Sequence, residues 1–177
     1  MPKVSIVVPV YNAARFLEDT IRSVQAQTEK DWELLLVDDC STDESRDVIT
    51  RISERDSRVR LIRQAQNAGA AAARNRGICE AAGKYLAYLD ADDLWKPERL
   101  SKELAFLEKE KAAFVFCGYE FADENGHGTG KVVRVPKTLT YHQALKNTTI
   151  FTSTVLFDMT ALSKELLQMP LVKSEDT

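Results

Sequence analysis

Asp90, Asp92 and Asp93 fall within four consecutive positions, directly after the apolar run Lys84-Tyr85-Leu86-Ala87-Tyr88-Leu89. Carboxylates so closely spaced repel one another, and the end of a buried strand suits them poorly unless a cation is near. A divalent ion carrying an anionic substrate would offset them, and oxygen-only ligands fit a hard ion such as Mn²⁺ or Mg²⁺. The plainer reading is a solvated acidic turn before a helix whose first residue would be Pro97. Two comparable groups lie upstream: Asp38-Asp39 closes the apolar run Glu33 to Val37, and Pro9-Val10-Tyr11-Asn12 closes Val4 to Val8.

Strands and helices must alternate to bring these groups together. Val4 to Val8 reads as a buried strand that stops at Pro9. Asn12 is placed to cap a helix whose inward stripe is Phe16, Leu17, Ile21 and Val24. A second strand, Glu33 to Val37, leads to a capping box of Ser41 and Glu44 and a helix buried through Val48, Ile49 and Ile52. Arg58 to Ile62 alternates as a strand with one wet face. Gly69 to Ala82 reads as a small-residue helix stopped by Gly83. After the acidic group come a helix carrying Leu100, Leu104 and Leu107 and a strand from Ala113 to Cys117. This alternation predicts one α/β domain with a mostly parallel, Rossmann-like sheet flanked by helices. Beyond Asp123 the pattern weakens to a turn over Glu124 to Gly130, an edge strand over Val132 to Val135 and another strand over Thr152 to Phe157, a small mixed part. Ligands of open parallel sheets gather beyond the carboxyl ends of the strands, so all three groups are expected to share one cleft.

Composition narrows the class. The chain has 177 residues, 44% of them hydrophobic and 29% charged, as expected of a soluble globular domain. A net charge of -3 and scattered basic residues argue against a nucleic-acid binder. Arg51 and Arg55 are expected to pair with Glu54 and Asp56 on an exposed helix face. Cys40, Cys79 and Cys117 form no CxxC pair, which fits a reduced cytoplasm, and with only two histidines a zinc site is not expected. No stretch reaches the ~18 apolar residues of a membrane span.

Four ordered segments between residue 3 and about residue 100 resemble the nucleotide-binding half of a family 2, GT-A-fold glycosyltransferase. Val8-Pro9-Val10-Tyr11-Asn12 is similar to the opening strand and turn. Val37-Asp38-Asp39-Cys40-Ser41-Thr42-Asp43 is similar to the second-strand signature, in which glycine normally stands where this chain has Cys40. Asn67-Ala68-Gly69 with Ala73-Arg74-Asn75-Arg76-Gly77 resembles a loop and helix start, and Leu89 to Trp95 resembles the DxD segment.

The resemblance implies a metal-dependent, inverting transfer of a hexose-type sugar from a nucleotide-sugar donor, a UDP-sugar first, to a hydroxyl of a glycan or lipid-linked acceptor in polysaccharide biosynthesis. Such an enzyme would be cytoplasmic, with a peripheral contact at the inner face of the membrane and no transmembrane segment. Tyr11 would lie against the base, flanked by Pro9 and Asn12, or else be a half-buried surface tyrosine. Asp39 would accept a ring N–H of uracil or thymine, or partner the dipole of the following helix, a role open to Asp38 as well. Arg74 would sit near the base or diphosphate, with Asn67 on the neighbouring loop, while Arg76 is about 200° around the helix and would point elsewhere. Asp90 and Ala91 would meet the ribose or metal shell and Asp92 would bind Mn²⁺ or Mg²⁺; Asp93 would support that shell or cap the next helix.

The family's general base lies in a short acidic motif far downstream. Lys173-Ser174-Glu175-Asp176 is the match here, with Asp176 as base; the alternative is an ordinary acidic helix start. On this reading residues 1–110 are the nucleotide-binding portion and 111–177 begin an acceptor-binding portion that is expected to be truncated, with impaired turnover. Two other readings compete. A non-catalytic nucleotide-sugar-binding fragment would hold UDP without turnover. A phospho-receiver domain would place its acidic pair after the first strand, where Tyr11 stands instead.

Overall fold

Val4, Ile6, Val8 and Val10 turn one way and Val7 the other, so strand β1 (Val4–Val10) is buried on both faces. The computed structural model describes residues 1–136, 138 and 150–171. In chain order the further elements are α1 (Ala14–Gln25), β2 (Trp32–Asp38), α2 (Ser45–Ser53), β3 (Val59–Arg63), α3 (Gly69–Glu80), β4 (Tyr85–Tyr88), α4 (Arg99–Glu110), β5 (Phe114–Phe116), β6 (Tyr119–Ala122), β7 (Gly128–Val133), a 3₁₀ turn (Thr152–Thr154), β8 (Val155–Asp158) and a short α5 (Lys164–Leu167).

The main sheet runs β3-β2-β1-β4-β8-β5, with the first four strands parallel and β8 antiparallel to both β4 and β5. One apolar layer packs the even side chains of β1 against α1, α2 and α4 through Leu17, Ile21, Ile49, Leu100 and Leu104. The opposite layer packs Val7, Leu35 and Val37 against α3 and α5 through Ala73, Ile78 and Leu167. The small residues of α3 have a packing reason: a Cβ on Gly77 would fall 2.3 Å from Val7 Cγ1, so only glycine lets this helix lie against β1. β6 and β7 form a separate antiparallel hairpin.

The α/β alternation is present, and the local details differ where tertiary partners take over. β1 does not stop at Pro9; it stays paired with β2 through Val10. Pairing with β4 does end early, at Val7, whose carbonyl accepts the Leu89 N–H at 3.1 Å. Odd residues of β1 face β4, so the missing N–H of Pro9 falls where that ladder stops.

Asn12 does not cap α1. It adopts φ +49° and its Oδ1 accepts from the Thr42 N–H at 2.8 Å. The free N–H groups at the start of α1 are met from the β2–α2 turn instead: Asn12 N–H by Ser41 Oγ at 3.1 Å, Ala13 N–H by Ser45 Oγ at 2.9 Å and Ala14 N–H by Asp43 Oδ2 at 2.9 Å. Ser41 is thereby occupied, and the expected capping box is replaced by Asp43 Oδ1 accepting the Ser45 N–H at 3.0 Å. Pro97 lies two residues before α4 rather than in its first position, with Glu98 between.

Downstream, the turn is 123–127, and Gly128 to Gly130 belong to β7, which ends at Val133 rather than Val135. Thr152 to Thr154 form the 3₁₀ turn, so β8 begins only at Val155.

Candidate active site

Beyond the carboxyl ends of β1, β2 and β4 lies a cleft of about 360 Å³ lined by Pro9, Tyr11, Asn12, Asp39, Arg74, Asp90, Ala91 and Asp92. The convergence expected from sequence is therefore present. Val10, Ala13, Phe16 and Ala70 complete the wall. Phe16 was expected in the core stripe of α1; it is half-buried at the cleft, and buried Thr20 takes the inward position. Its spacing in the helix gave no sign of this, because a cleft wall and a core both favour an aromatic ring.

Asp39 is 2% exposed, and its carboxylate accepts three donors: Gln64 Nε2 at 2.7 Å, Ala68 N–H at 2.9 Å and Gly69 N–H at 2.7 Å. These bonds fix the entry to α3, where Gly69 adopts φ +84°. Gln64 was not singled out from sequence, since a lone glutamine in a loop carries no pattern. Asp38 is fully buried and accepts from the Ser41 N–H at 3.1 Å and from Arg46 Nε at 2.6 Å, which leaves it a structural part of the β2–α2 turn. Directly after the two aspartates Cys40 holds φ +64°, the left-handed region that glycine enters most easily. Asn67 is exposed and lies outside the cleft lining.

Across the cleft Arg74 Nη2 meets Asp90 Oδ1 at 2.5 Å. Arg76 instead pairs with Glu80 at 2.8 Å on the outer face of α3. The acidic loop is stapled at both ends. Asp90 N–H donates to Ser153 Oγ at 3.0 Å, Trp95 Nε1–H donates to Ser153 O at 3.1 Å, and Thr20 Oγ1 donates to Ala91 O at 2.8 Å. Ser153 was missed because it stands 63 residues from Asp90. Loss of surrounding water raises the Asp93 carboxyl above its ordinary value; the Ser153 hydroxyl opposes this, and Asp90 and Asp92 add to it. Asp93 does not cap α4, whose N-cap residue is Glu98.

Asp92 is exposed and makes no hydrogen bond or ion pair among the described residues. No group of three or more His, Cys, Asp or Glu side chains forms a metal cage among them either. Oxygen-only donors of this kind fit a hard divalent ion whose coordination is completed by water and substrate phosphates. Tyr11 stands 54% exposed over the same cleft. Asp176 lies outside the described residues.

The mostly parallel sheet with a cleft beyond the carboxyl ends of its strands has the GT-A fold, and solved structures of that fold match it. TarS of S. aureus, residues 1–349 in complex with UDP, superposes with a TM-score of 0.75 at 22% identity, over 95% of this chain and 50% of that one. The mannosyltransferase PcManGT from Pyrobaculum calidifontis, in complex with GDP-Man and Mn²⁺, superposes with a TM-score of 0.72 at 22% identity, over 96% and 48%. The chain belongs to glycosyl transferase family 2, whose family model matches residues 5–167. It is 40% identical over 173 residues to the putative teichuronic acid biosynthesis glycosyltransferase TuaG of Bacillus subtilis (strain 168), covering 98% of this chain and 68% of that protein. It is 38% identical over 173 residues to the UDP-Glc:alpha-D-GlcNAc-diphosphoundecaprenol beta-1,3-glucosyltransferase WfgD of Escherichia coli, covering 98% and 66%. The chain thus spans about two thirds of the length of these curated relatives. Family membership removes the phospho-receiver reading.

Proposed function

We propose that this chain carries the donor-binding portion of an inverting glycosyltransferase that moves a hexose-type sugar from UDP to a hydroxyl of a glycan or lipid-linked acceptor, with Mn²⁺ or Mg²⁺. The observation that carries this reading is the exposed Asp92, without a partner among the described residues, at the lip of the cleft that Tyr11, Asp39, Arg74 and Asp90 share. A relative named for UDP-Glc and a diphosphoundecaprenol acceptor, and a structural neighbour in complex with UDP, support the choice of donor and acceptor class.

Tyr11 stacks on the uracil, a contact worth about 1–3 kcal/mol. Asp39 already serves three donors, and a carboxylate has about four acceptor directions, so one remains for the imide N–H of uracil. A cytosine ring presents no such N–H. Pro9, Asn12 and Ala91 wall the nucleoside, and Asn67 edges the loop that Asp39 holds. Arg74 is the cationic side chain of the cleft lining and would meet the diphosphate, and its ion pair with Asp90 holds it across the cleft. Asp92 holds the divalent ion, which when bound neutralises charge gathering on the departing nucleoside diphosphate. Asp176 takes the proton of the attacking hydroxyl.

In this reading residues 1–110 bind the nucleotide and 111–177 begin the acceptor side. No helix of the described residues is long and apolar enough to cross a membrane. A cytoplasmic enzyme touching the inner face peripherally would meet a lipid-linked acceptor there.

The test is calorimetry of UDP binding. Asp92→Ala should weaken Mn²⁺-dependent UDP affinity at least tenfold, ~1.4 kcal/mol, and leave affinity in chelator unchanged. An affinity with Mn²⁺ within twofold of the unsubstituted chain rejects the metal assignment.

A further inference from the structure

Thr20 interrupts the apolar stripe of α1. Leu17, Ile21 and Val24 on that face are fully buried, and Thr20 itself is 1% exposed. Valine would fill the same space without burying a hydroxyl, which costs free energy unless it is bonded. A helical threonine can satisfy its hydroxyl on a carbonyl one turn earlier. Thr20 Oγ1 leaves its helix instead and donates to Ala91 O at 2.8 Å.

Ser153 reaches the same turn from another part of the fold. It is 8% exposed in the 3₁₀ turn Thr152–Thr154, which is tied down by the Thr154 N–H on Phe151 O at 2.9 Å and the Cys117 N–H on Thr154 O at 3.1 Å. Its Oγ accepts the Asp90 N–H at 3.0 Å and its hydroxyl bonds the Asp93 carboxyl. Its carbonyl accepts Trp95 Nε1–H at 3.1 Å. Within the turn, the Asp93 N–H donates to Asp90 O at 3.1 Å.

Three carboxylates in one turn push it apart, so its shape needs support from outside. The two flanking carboxylates are engaged, Asp90 by Arg74 at 2.5 Å and Asp93 by Ser153. Asp92 lies between clamped residues, exposed and without a partner among the described residues. Neither Thr20 nor Ser153 lines the cleft.

We propose that Thr20 and Ser153 are positioning residues that clamp the turn Asp90 to Asp93 from two sides, so that the Asp92 carboxylate is held at the cleft lip for a divalent ion. The inference rests on the reading of Asp92 as a ligand of that ion. Both side chains act through the backbone of the turn and touch neither ion nor nucleotide. A ligand ordered in advance loses less freedom when the ion arrives, and the gain appears as affinity.

Calorimetry of UDP binding with Mn²⁺ and in chelator tests this, with amide exchange as a second readout. Thr20→Val keeps the packing of α1 and removes only the hydroxyl; Ser153→Ala removes the other side of the clamp. In each, the gain in UDP affinity that Mn²⁺ brings should fall about fivefold, while affinity in chelator stays within twofold. Without metal, exchange at Ala91 and Asp92 should quicken, with Leu34 and Leu36 of β2 unchanged. A Mn²⁺ gain within twofold of the original in Thr20→Val overturns the inference. So does an equal loss with and without Mn²⁺, which marks a merely structural role. If Mn²⁺ brings no gain in the unsubstituted chain, the reading of Asp92 fails, and the inference with it.

Discussion

Cys40 directly follows two buried aspartates and holds a backbone angle that an L side chain enters at a cost. Its Sγ lies 3.5 Å from the Gln64 carbonyl, a weak contact that offsets little of that strain. Cys40→Gly should therefore raise stability by about 1 kcal/mol, read as a higher denaturation midpoint in urea at unchanged m. A lower midpoint would mean that the thiol contributes more than its geometry suggests. The oddity was visible in the sequence as a cysteine where the resembling segment carries glycine. What the sequence lacked was the reason, because a backbone angle is not written in any side chain. Asp39 shows the same limit: its position at a strand end marked it as a site residue, but the three bonds that bury it come from a loop 25 to 30 residues away.

At the scale of elements, the start of α1 is built by another element's turn. Asp43 is the pivot, since one oxygen receives the Ala14 N–H and the other the Ser45 N–H. Burial works to raise its carboxyl, yet hydrogen bonds from Ser45 and the Ala14 N–H prevail and hold it below the ordinary range. Asp43→Ala should cost about 1 kcal/mol, as a lost cap does, and should also loosen the turn that carries Tyr11. Faster amide exchange at Asn12 to Ala14 with UDP affinity reduced would bear this out; stability loss with no change at Asn12 would contradict it. Local capping rules misplaced both helix starts because the donors and acceptors they assume are shared between two turns. Strands and helix faces, which depend on periodicity alone, were legible from Val4 to Leu107 except at Phe16.

At the scale of the molecule, the parallel half and the antiparallel strands meet at a buried charge pair. Arg99 Nη2 stands 3.2 Å from Glu103 Oε2, the guanidinium stacks 3.8 Å above the Trp95 ring, and Nη2 reaches Val155 O at 3.4 Å. Burial raises the Glu103 carboxyl against the pull of Arg99, and burial pushes the neighbouring Cys117 thiol up to about 11. Removing one partner leaves the other charged and dry. Arg99→Ala should therefore cost about 3–5 kcal/mol, whereas Arg99→Met with Glu103→Leu should fold at least as stably as the original. Urea titrations of both separate the cases, and a loss under ~1 kcal/mol for the single change would show the pair to be solvated. This half of the fold was poorly legible. β8 pairs with β4 from about 70 residues downstream, and the short strands on either side of the hairpin carry too few alternations to fix a period.

Pro9 has a consequence for the cleft itself. Another rung between β1 and β4 would need an amide hydrogen at position 9, and the ring nitrogen has none. The ladder between the two central strands ends with the Leu89 N–H on the Val7 carbonyl, and the Asp90 amide, on the opposite edge of β4, donates to Ser153. One imino acid thus withholds the proton that the next cross-link between these strands would use, just where the crevice begins.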